Sequence, residues 1–322
     1  MRLSIIIPSH HRADLLHACL ASITRHRPVG TEVIVVDDGS ARGVVAATAD
    51  TWPHVDIVRL PRQVGFCAAV NAGLRRATGA VVQVLNDDAE VTAGWAEPAW
   101  ERLADPAIGA VAPLVLSWPT GEIIDSAGDH YYLGGVARKR GHGRPLCSQT
   151  LQAGPVFGAC GCGAFYRRSA LEHIGGFPED FTAYFDDVDV AFRLRWAGWQ
   201  VWFEPRSRLL HHGAASHGRR PDDRLLAQQS RNEERVFWRH VPLRLWPRAV
   251  PQHLAVLVGK AWQRWREGRL GPFLAGRWAA WREVPAAWSE QYRRATPADA
   301  GAWSCLDPTW PGASAPQSEP VT

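Results

Sequence analysis

An apolar run that ends in three polar residues constrains this chain more than any other stretch. Val81 to Leu85 is rich in valine, as is typical of a strand buried inside a parallel sheet. Asn86, Asp87 and Asp88 follow it directly. Such a strand places carboxylates at the carboxyl edge of the sheet, where open α/β folds bind their ligands. The stretch therefore indicates either a site for a divalent cation and a diphosphate, or a strand-to-loop turn capped by Asn and Asp.

Strand and helix patterns alternate along the first hundred residues. Apolar runs at 3–8, 32–36 and 55–60 indicate strands, and apolar residues at helical spacing lie between them. The sequence therefore predicts an α/β fold with a mostly parallel sheet covered by helices on both faces. The second strand ends in Asp37 and Asp38, so two acid pairs meet at one edge of the sheet. That coincidence favours a ligand site over a simple turn.

Several features limit the class of function. The first strand is followed by Pro8-Ser9-His10, where a Rossmann dinucleotide site or a nucleotidyltransferase would carry a glycine-rich phosphate loop. The net charge of +4 is too small to indicate a nucleic-acid partner. No stretch approaches the ~18 apolar residues that span a bilayer. Six scattered cysteines and an N-terminus without a signal-peptide core lead us to expect a reduced, cytoplasmic protein.

A third acid cluster occurs in the second half of the chain. A helix is predicted to begin near Asp186, because acidic residues favour the first turn of a helix. Asp187 and Asp189 follow, and three acids are more than helix capping needs. A carboxylate at the mouth of a pocket can accept a proton from a hydroxyl group. His211 and His212 come after the last predicted strand, either as a further metal ligand or as a surface pair.

Eight motifs in this order resemble the inverting family 2 glycosyltransferases with the GT-A fold, particularly bacterial rhamnosyl- and galactofuranosyltransferase-like members. The motifs are Ile5-Ile6-Ile7-Pro8, Val35-Val36-Asp37-Asp38-Gly39-Ser40, Gly65-Phe66 with Asn71-Ala72-Gly73, Leu85-Asn86-Asp87-Asp88, Gly175-Gly176-Phe177, Phe185-Asp186-Asp187-Val188-Asp189 with Arg193, Ala197-Gly198-Trp199, and Pro205 followed by His211. Each motif is weak alone, but the ordered set is specific and covers about residues 3 to 240.

The resemblance implies a role for each polar cluster. Asp187 stands at the position of the catalytic base, and Asp88 at that of the metal ligand. His211 is implied as a further metal ligand, with His212 as the alternative. The residues implied to contact the donor nucleotide are Pro8, Asp37, Asp38, Asn71, Asn86 and Asp87. The residues implied on the acceptor side are Asp186, Asp189 and Arg193.

The resemblance also implies the reaction. A sugar would pass with inversion from a UDP- or dTDP-sugar to a hydroxyl of a glycan or lipid-linked acceptor, with Mg²⁺ or Mn²⁺, in cell-surface polysaccharide synthesis. The alternative is a non-catalytic sugar-nucleotide-binding or scaffolding subunit. Gln63, Pro178 and Asp186 replace the Asn, Asp and Glu that are usual in the family. The first two departures leave the identity of the sugar open.

The expected domain organisation is a glycosyltransferase domain over 1–235, a helical extension over 236–295 and a disordered tail over 296–322. Within the first domain, we expect 1–120 to bind the nucleotide sugar and 121–235 to hold the acceptor and the catalytic residues. The segment Gly121–Arg144, which is rich in glycine, is predicted to be a mobile loop or hairpin whose basic run is solvated.

The extension is basic and rich in tryptophan. One predicted helical face contains Leu254, Leu257, Val258, Ala261, Trp262 and Trp265, and Arg264, Arg266 and Arg269 lie close by. Such a helix suits either packing on the catalytic domain or in a homodimer, or a peripheral position in an anionic membrane interface on the cytoplasmic face of the plasma membrane.

Overall fold

The computed structural model describes residues 2–146, 151–213, 222–284 and 306–308. The chain forms two compact units. The first comprises Met1–Asp129 and Lys139–Arg220, and the second comprises His130–Arg138 and Pro221–Thr322.

The first unit begins with the predicted alternation of strands and helices. Its strands are β1 (Leu3–Ser9), β2 (Glu32–Asp37), β3 (Val55–Arg59), β4 (Val81–Val84), β5 (Ala89–Val91), β6 (Ile108–Ser117), β7 (Ile124–Ser126), β10 (Gly154–Val156), β11 (Phe165–Arg167) and β12 (Gln200–His211). Its helices are α1 (Ala13–His26), α2 (Val44–Ala49), α3 (Phe66–Arg76), α4 (Ala96–Leu103), α5 (Arg168–His173) and α6 (Asp186–Trp196). Short 3₁₀ turns occur at Ala41–Gly43 and Glu179–Phe181.

The strands of the first unit form one mixed sheet. Its order is β10-β12-β6-β11-β4-β1-β2-β3, with β5 paired to β12 and β7 paired to β6. The half β4-β1-β2-β3 is parallel, and Ile6 of β1 lies between Ile34 of β2 and Val84 of β4. The β6–β12 pair is also parallel, whereas β11 runs antiparallel to both of its neighbours. The predicted parallel arrangement of the first four strands is confirmed.

The burial of apolar side chains explains why the parallel strands lie inside the first unit. Every residue of β1 is buried, and α1 covers one face of the sheet with Leu16, Leu20 and Ile23. On α3, an added Cβ at Gly73 would collide with Ile6 of β1. The small residues of α3 therefore let helix and sheet approach closely, as their composition predicts.

The last strand of the sheet is longer than the sequence predicts. The apolar pattern ends at Pro205, but β12 continues to His211 and its register on β6 shifts between Glu204 and Arg208. Proline is tolerated at such a bulge because the ladder does not need its missing N–H. The extra residues pair His211 with Ala89 of β5, next to Asp88.

The second unit is mainly helical. Apart from the end residues Asp129 and Lys139, it contains β8 (Asp129–Tyr132) and β9 (Val136–Lys139). It also contains α7 (Asp223–His240), a 3₁₀ turn at Leu243–Leu245, α8 (Trp246–Arg266), α9 (Leu270–Trp281) and β13 (Leu306–Asp307). The strands β13, β8 and β9 form a small sheet in that order. The domain limit expected at residue 235 falls inside α7, and most of 285–322 lies outside the described residues. None of the described helices is long and apolar enough to cross a membrane.

A buried network of charges joins the helices of the second unit. Glu233 and Glu234 on α7 accept hydrogen bonds from Arg277 of α9, and all three residues are buried. Glu234 also lies 3.1 Å from Nε2 of His253 on α8, and Lys260 pairs with Glu233. The carboxylates therefore tie the three helices together.

Candidate active site

Polar side chains meet at the carboxyl edge of the parallel strands. β1 ends at Ser9 between Asp37 at the end of β2 and the turn that follows β4. The Ser9 hydroxyl donates to Asp87 Oδ2 over 2.6 Å. Burial raises the pKa of Asp87 to about 6; the bond from Ser9 opposes this, and the nearby Asp88 charge adds to it. The edge therefore concentrates negative charge where the sequence predicts a ligand.

Asp88 belongs to a chain of polar contacts with residues from distant parts of the sequence. Its Oδ1 lies 3.1 Å from Nε2 of His211 at the end of β12. Nδ1 of His211 lies 3.1 Å from Oδ2 of Asp125 on β7, which also accepts a 2.8 Å hydrogen bond from Lys139 Nζ. Asp88, Asp125 and His211 are all buried. The imidazole is therefore held between two carboxylates, with Lys139 orienting the outer one.

These contacts shift the pKa values of His211, Asp88 and Asp125. Burial lowers the pKa of His211, but Cys162, Asp125 and Asp88 outweigh it and raise that pKa to about 12. Burial alone would raise the pKa of Asp88, yet the hydrogen bond and positive charge of His211 hold it below its ordinary value. The pKa of Asp125 is likewise held well below its usual range against burial, by His211 and Lys139. The raised pKa of His211 favours an imidazolium, the form that can donate to both carboxylates.

A divalent cation fits between Asp88 and His211. Their 3.1 Å separation is close to the roughly 3 Å between adjacent ligands of an octahedral Mg²⁺ with bonds of about 2.1 Å. The Nδ1–H of His211 would remain on Asp125, an arrangement that orients metal-binding histidines in many proteins. Among the described residues, no group of three His, Cys, Asp or Glu side chains could hold a metal alone. A cation here would need further oxygen ligands, such as those of a phosphate.

The neighbouring histidine faces a different partner. His212 Nε2 lies 2.7 Å from Glu90 Oε1, and its ring stacks on Trp118 with 4.4 Å between centroids. Its backbone N–H donates to the carbonyl oxygen of Asp88. Of the two candidate histidines, the structure therefore places the imidazole of His211 beside the Asp88 carboxylate.

The residues predicted to bind the nucleotide differ in how many hydrogen bonds their side chains already make within the protein. The Asp37 carboxylate accepts hydrogen bonds from Ser40 and from the Ala46 N–H. Asp38 accepts from the backbone N–H groups of Val64 and Gly65 over 2.7 and 3.0 Å. Both aspartates are buried and hold the loops that follow β2 and β3. They shape the edge of the sheet, and a nucleotide would have to use their remaining lone pairs.

Two asparagines and a proline complete the predicted nucleotide set. Asn71 on α3 donates both amide hydrogens, to the Phe177 carbonyl and to Glu179. Its Oδ1 also accepts from the Phe177 N–H, so this side chain clamps α3 to the Gly176 loop. In contrast, the side-chain amide of half-buried Asn86 makes no hydrogen bond within the described part of the chain. Pro8 lies buried in β1, paired with β2.

The third acid cluster forms the first turn of α6. Asp187 Oδ2 accepts a 3.0 Å hydrogen bond from the Gly161 N–H, and Oδ1 accepts from the Val188 N–H over 2.9 Å. Burial raises the pKa of Asp187 against these hydrogen bonds. Burial and the adjacent charge of Asp187 raise the pKa of buried Asp186 to about 8. Half-buried Asp187 is therefore a carboxylate that can take up a proton.

Asp189 and Arg193 hold this helix in place. Asp189 Oδ2 accepts a 2.5 Å hydrogen bond from Arg193 Nε, one helical turn later. Arg193 Nη1 donates to the carbonyl oxygens of Ile174 and Gly176 over 2.7 Å each. Asp189 and Arg193 together fasten α6 to the turn that contains Gly175 and Gly176. Both residues therefore position this helix.

Sequence reasoning missed several residues near the site. Asp125 and Lys139 lie in the glycine-rich segment that the sequence predicts as a mobile loop or hairpin, and this segment contains β7 and the paired strands β8 and β9. Gly161 lies between Cys160 and Cys162, and its N–H binds Asp187. Among the described residues these two cysteines are buried free thiols, as are Cys19 and Cys67. The scattered acids and the single lysine of this glycine-rich segment gave no signal of these contacts.

The model of the family described as "Glycosyl transferase family 2" matches residues 4–175, just over half of the chain. The chain belongs to this family and is a glycosyltransferase. The resemblance noted in the motifs is thereby confirmed.

The descriptions of similar proteins are consistent with membership of this family. The N-acetylglucosaminyl-diphospho-decaprenol L-rhamnosyltransferase of Mycobacterium tuberculosis (strain ATCC 25618 / H37Rv) is 30% identical over 266 residues, which cover 73% of this chain and 86% of that protein. The O-antigen biosynthesis protein RfbC of Myxococcus xanthus is 30% identical over 235 residues, which cover 67% of this chain but 18% of that protein.

The fold is that of solved glycosyltransferases. The crystal structure of GalNAc-T7 with UDP, GalNAc and Mn²⁺ aligns with a TM-score of 0.58 and 20% sequence identity, covering 73% of this chain and 48% of that one. The predicted α/β class with the GT-A arrangement and a C-terminal helical extension is confirmed.

Proposed function

We propose that this glycosyltransferase moves a sugar, with inversion, from a UDP- or dTDP-sugar to a hydroxyl group of a glycan or lipid-linked acceptor, and that it needs Mg²⁺ or Mn²⁺. The observation that carries the proposal is the buried Asp88–His211 pair, together with the half-buried carboxylate of Asp187. The Asp88–His211 pair is suited to bind a cation together with a diphosphate. The Asp187 carboxylate is suited to accept a proton. The named relatives, which include a rhamnosyltransferase on a diphospho-decaprenol acceptor and an O-antigen protein, support a role in surface polysaccharide synthesis.

Each side chain has a defined task in this reaction. Asp88 and His211 would hold the cation, which as a Lewis acid stabilises the charge of the leaving diphosphate. Asp125 keeps Nδ1 of His211 protonated, so that Nε2 faces Asp88. The free amide of Asn86 is suited to contact the donor. The aspartates at the end of β2 and the Asn71 clamp shape the donor side of the site.

Asp187 acts on the acceptor. Its carboxylate accepts the proton of the acceptor hydroxyl as that oxygen attacks the anomeric carbon on the face opposite the leaving group. The N–H groups of Gly161 and Val188 fix the carboxylate, and its raised pKa makes it a better base than an exposed aspartate. Asp186, Asp189 and Arg193 keep this turn of α6 at the acceptor side.

A donor panel tests the proposal. UDP- and dTDP-sugars are incubated with the purified protein, with and without Mg²⁺ or Mn²⁺, and hydrolysis or transfer is followed. We expect turnover of at least one donor, dependent on the cation, and a product whose anomeric configuration by NMR is inverted. Turnover that is unaffected by a chelator would contradict the metal role, and a retained configuration would contradict the single displacement.

Asp88→Ala separates metal binding from folding. The variant should keep its fold but bind the nucleotide in a way that no longer responds to the cation in calorimetry. An unchanged cation response would show that Asp88 is not a ligand.

A further inference from the structure

Apolar side chains form an exposed stripe on the helices of the second unit. On α8, Leu254, Val258, Trp262 and Trp265 recur at helical spacing, and Trp262 is 61% exposed. The rings of Trp262 and Trp265 lie 5.0 Å apart between centroids. The buried residues of α8, namely Ala249, His253 and Val256, lie on another face. This helix therefore packs inward on one side and still presents large apolar groups to solvent.

Exposed apolar side chains also occur on α9, which contacts α8. Leu274, Trp278 and Trp281 are exposed, with Trp278 at 62%. Phe273, Gly276, Arg277 and Ala280 form the buried face of the same helix. We call the seven exposed residues on α8 and α9 the tryptophan stripe. Their number on two adjacent helices exceeds the scattered exposed apolar residues of an ordinary surface.

The charges around the tryptophan stripe are positive. Neither α8 nor α9 contains an aspartate or glutamate. Arg248 and Arg266 on α8 are exposed, and within the described part of the chain neither forms an ion pair. The acids that follow the two helices, Glu267 and Glu283, are already paired with arginines. A partner of this surface must therefore accept both large aromatic groups and arginines.

We propose that the tryptophan stripe docks on an anionic lipid bilayer, with the helices lying in the plane of its interface. Tryptophan rings favour the region of the lipid headgroups, and an amphipathic helix buries its apolar face there by about 5–10 Å. Arg248 and Arg266 bind lipid phosphates through charge-assisted hydrogen bonds. The protein lies on the membrane and does not span it through any described helix.

The charges weigh against a second copy of the chain as the occupant. A twofold contact would place the same patch on both partners, because such an interface is self-complementary. The unpaired arginines of the two copies would then approach one another without acids on α8 or α9 to balance them. An anionic bilayer satisfies the apolar side chains and the arginines together.

Vesicle flotation tests the proposal without any sugar donor, so its result is independent of the proposed transfer reaction. The 322-residue chain is floated with vesicles of phosphatidylcholine alone and with vesicles that also contain phosphatidylglycerol, at low and high salt. We expect binding to the anionic vesicles that weakens as salt is added, because salt screens the charges. No binding to anionic vesicles, or equal binding to both, would overturn the proposal.

Matched variants locate the surface. Trp262→Ser combined with Trp278→Ser should weaken vesicle binding at least about tenfold. Arg248→Glu combined with Arg266→Glu should weaken it by about tenfold or more and reduce its salt dependence. The controls are Trp118→Ser, an exposed tryptophan of the first unit, and Arg75→Glu on α3, and both should bind like the wild type.

Two further results would refute the assignment. One is an equal loss of binding in the stripe variants and the controls. The other is a wild-type dimer in sedimentation that the tryptophan variant dissociates, with no vesicle binding in either protein. Circular dichroism and urea unfolding check that each variant is folded, as we expect for substitutions of exposed side chains.

Discussion

The two units bury carboxylates in opposite ways. In the first unit, burial together with neighbouring negative charge raises the pKa of Asp87, at the sheet edge, to about 6 and that of Asp186, in the first turn of α6, to about 8. In the helical unit, burial would likewise raise the pKa of Glu234, but His253 and Arg277 outweigh it and lower that pKa to about 2. Both sets of acids are removed from water, and they differ in whether cations accompany them.

That difference distinguishes the acids of the helical unit from Asp87 and Asp186, whereas Asp88 belongs to the candidate site by its position and not by a raised pKa. A buried ion pair with complete hydrogen bonding can tie elements together, whereas carboxylates without matching cations cost free energy. Proteins keep such costly groups where a ligand or a proton will arrive, so raised carboxyl pKa values point to function. The helical network around Arg277 is thus expected to affect stability, and the acids of the sheet edge are expected to affect turnover.

Asp187→Asn has the largest expected effect and tests whether an acid of the first unit takes part in catalysis. Loss of the proton acceptor should reduce transfer by roughly 10²–10⁴-fold, because general base catalysis typically contributes that much. The fold should persist, since the amide keeps the shape of the side chain and removes a charge beside Asp186. Turnover is measured with the donor identified in the panel, and Asp50→Asn on the exposed surface is the matched control. Wild-type turnover in the Asp187 variant would remove it from the mechanism.

Arg277→Met tests whether the buried charge network of the helical unit stabilises the fold. The substitution leaves Glu233 and Glu234 buried with fewer cations, and breaking a buried pair in this way costs about 3–5 kcal/mol of unfolding free energy. Urea unfolding should show this loss, whereas Arg282→Met, an exposed arginine just after α9, should change little. A stable Arg277 variant with greatly reduced turnover would mean that the network belongs to the catalytic machinery instead.

Asp125→Asn tests an acid that has cations on both sides and yet lies in the first unit. The amide should no longer hold Nδ1 of His211 in one protonation state, and loss of such a partner typically weakens metal binding by about 10–100-fold. The activation of turnover by Mn²⁺ measures this effect. Glu90→Gln removes the partner of His212 instead, so a larger loss in that variant would favour His212 as the ligand.

The sheet edge could be predicted from sequence because its causes are local. Apolar runs mark β1, β2 and β4, and parallel connections bring the residues that follow them to one side. The acids Asp37 and Asp88 were therefore expected near one another without any knowledge of side-chain contacts. The roles proposed for Asp187 and His211 rest on the family resemblance and not on spacing alone.

The partners of these residues could not be predicted because they depend on long-range packing. Asp125 reaches His211 only since β7 pairs with β6 and β12 continues through its bulge. Asn71 becomes a clamp because Gly176 approaches it so closely that a Cβ there would collide with its side chain. No local pattern in the sequence encodes contacts between segments about a hundred residues apart.

Asp186→Asn gives the smallest and most specific test, through the pH dependence of stability. Since the folded-state pKa of Asp186 is raised to about 8, the folded protein binds a proton that the unfolded chain has lost above about pH 4. Stability should therefore fall as the pH rises between these two values, by up to about 1.4 kcal/mol for each pH unit. In Asp186→Asn this loss should be smaller, and urea unfolding at pH 6 and 7 without cation or donor measures the difference. Parallel pH profiles for the two proteins would mean that Asp186 is already ionised in the folded state, and would contradict its raised pKa.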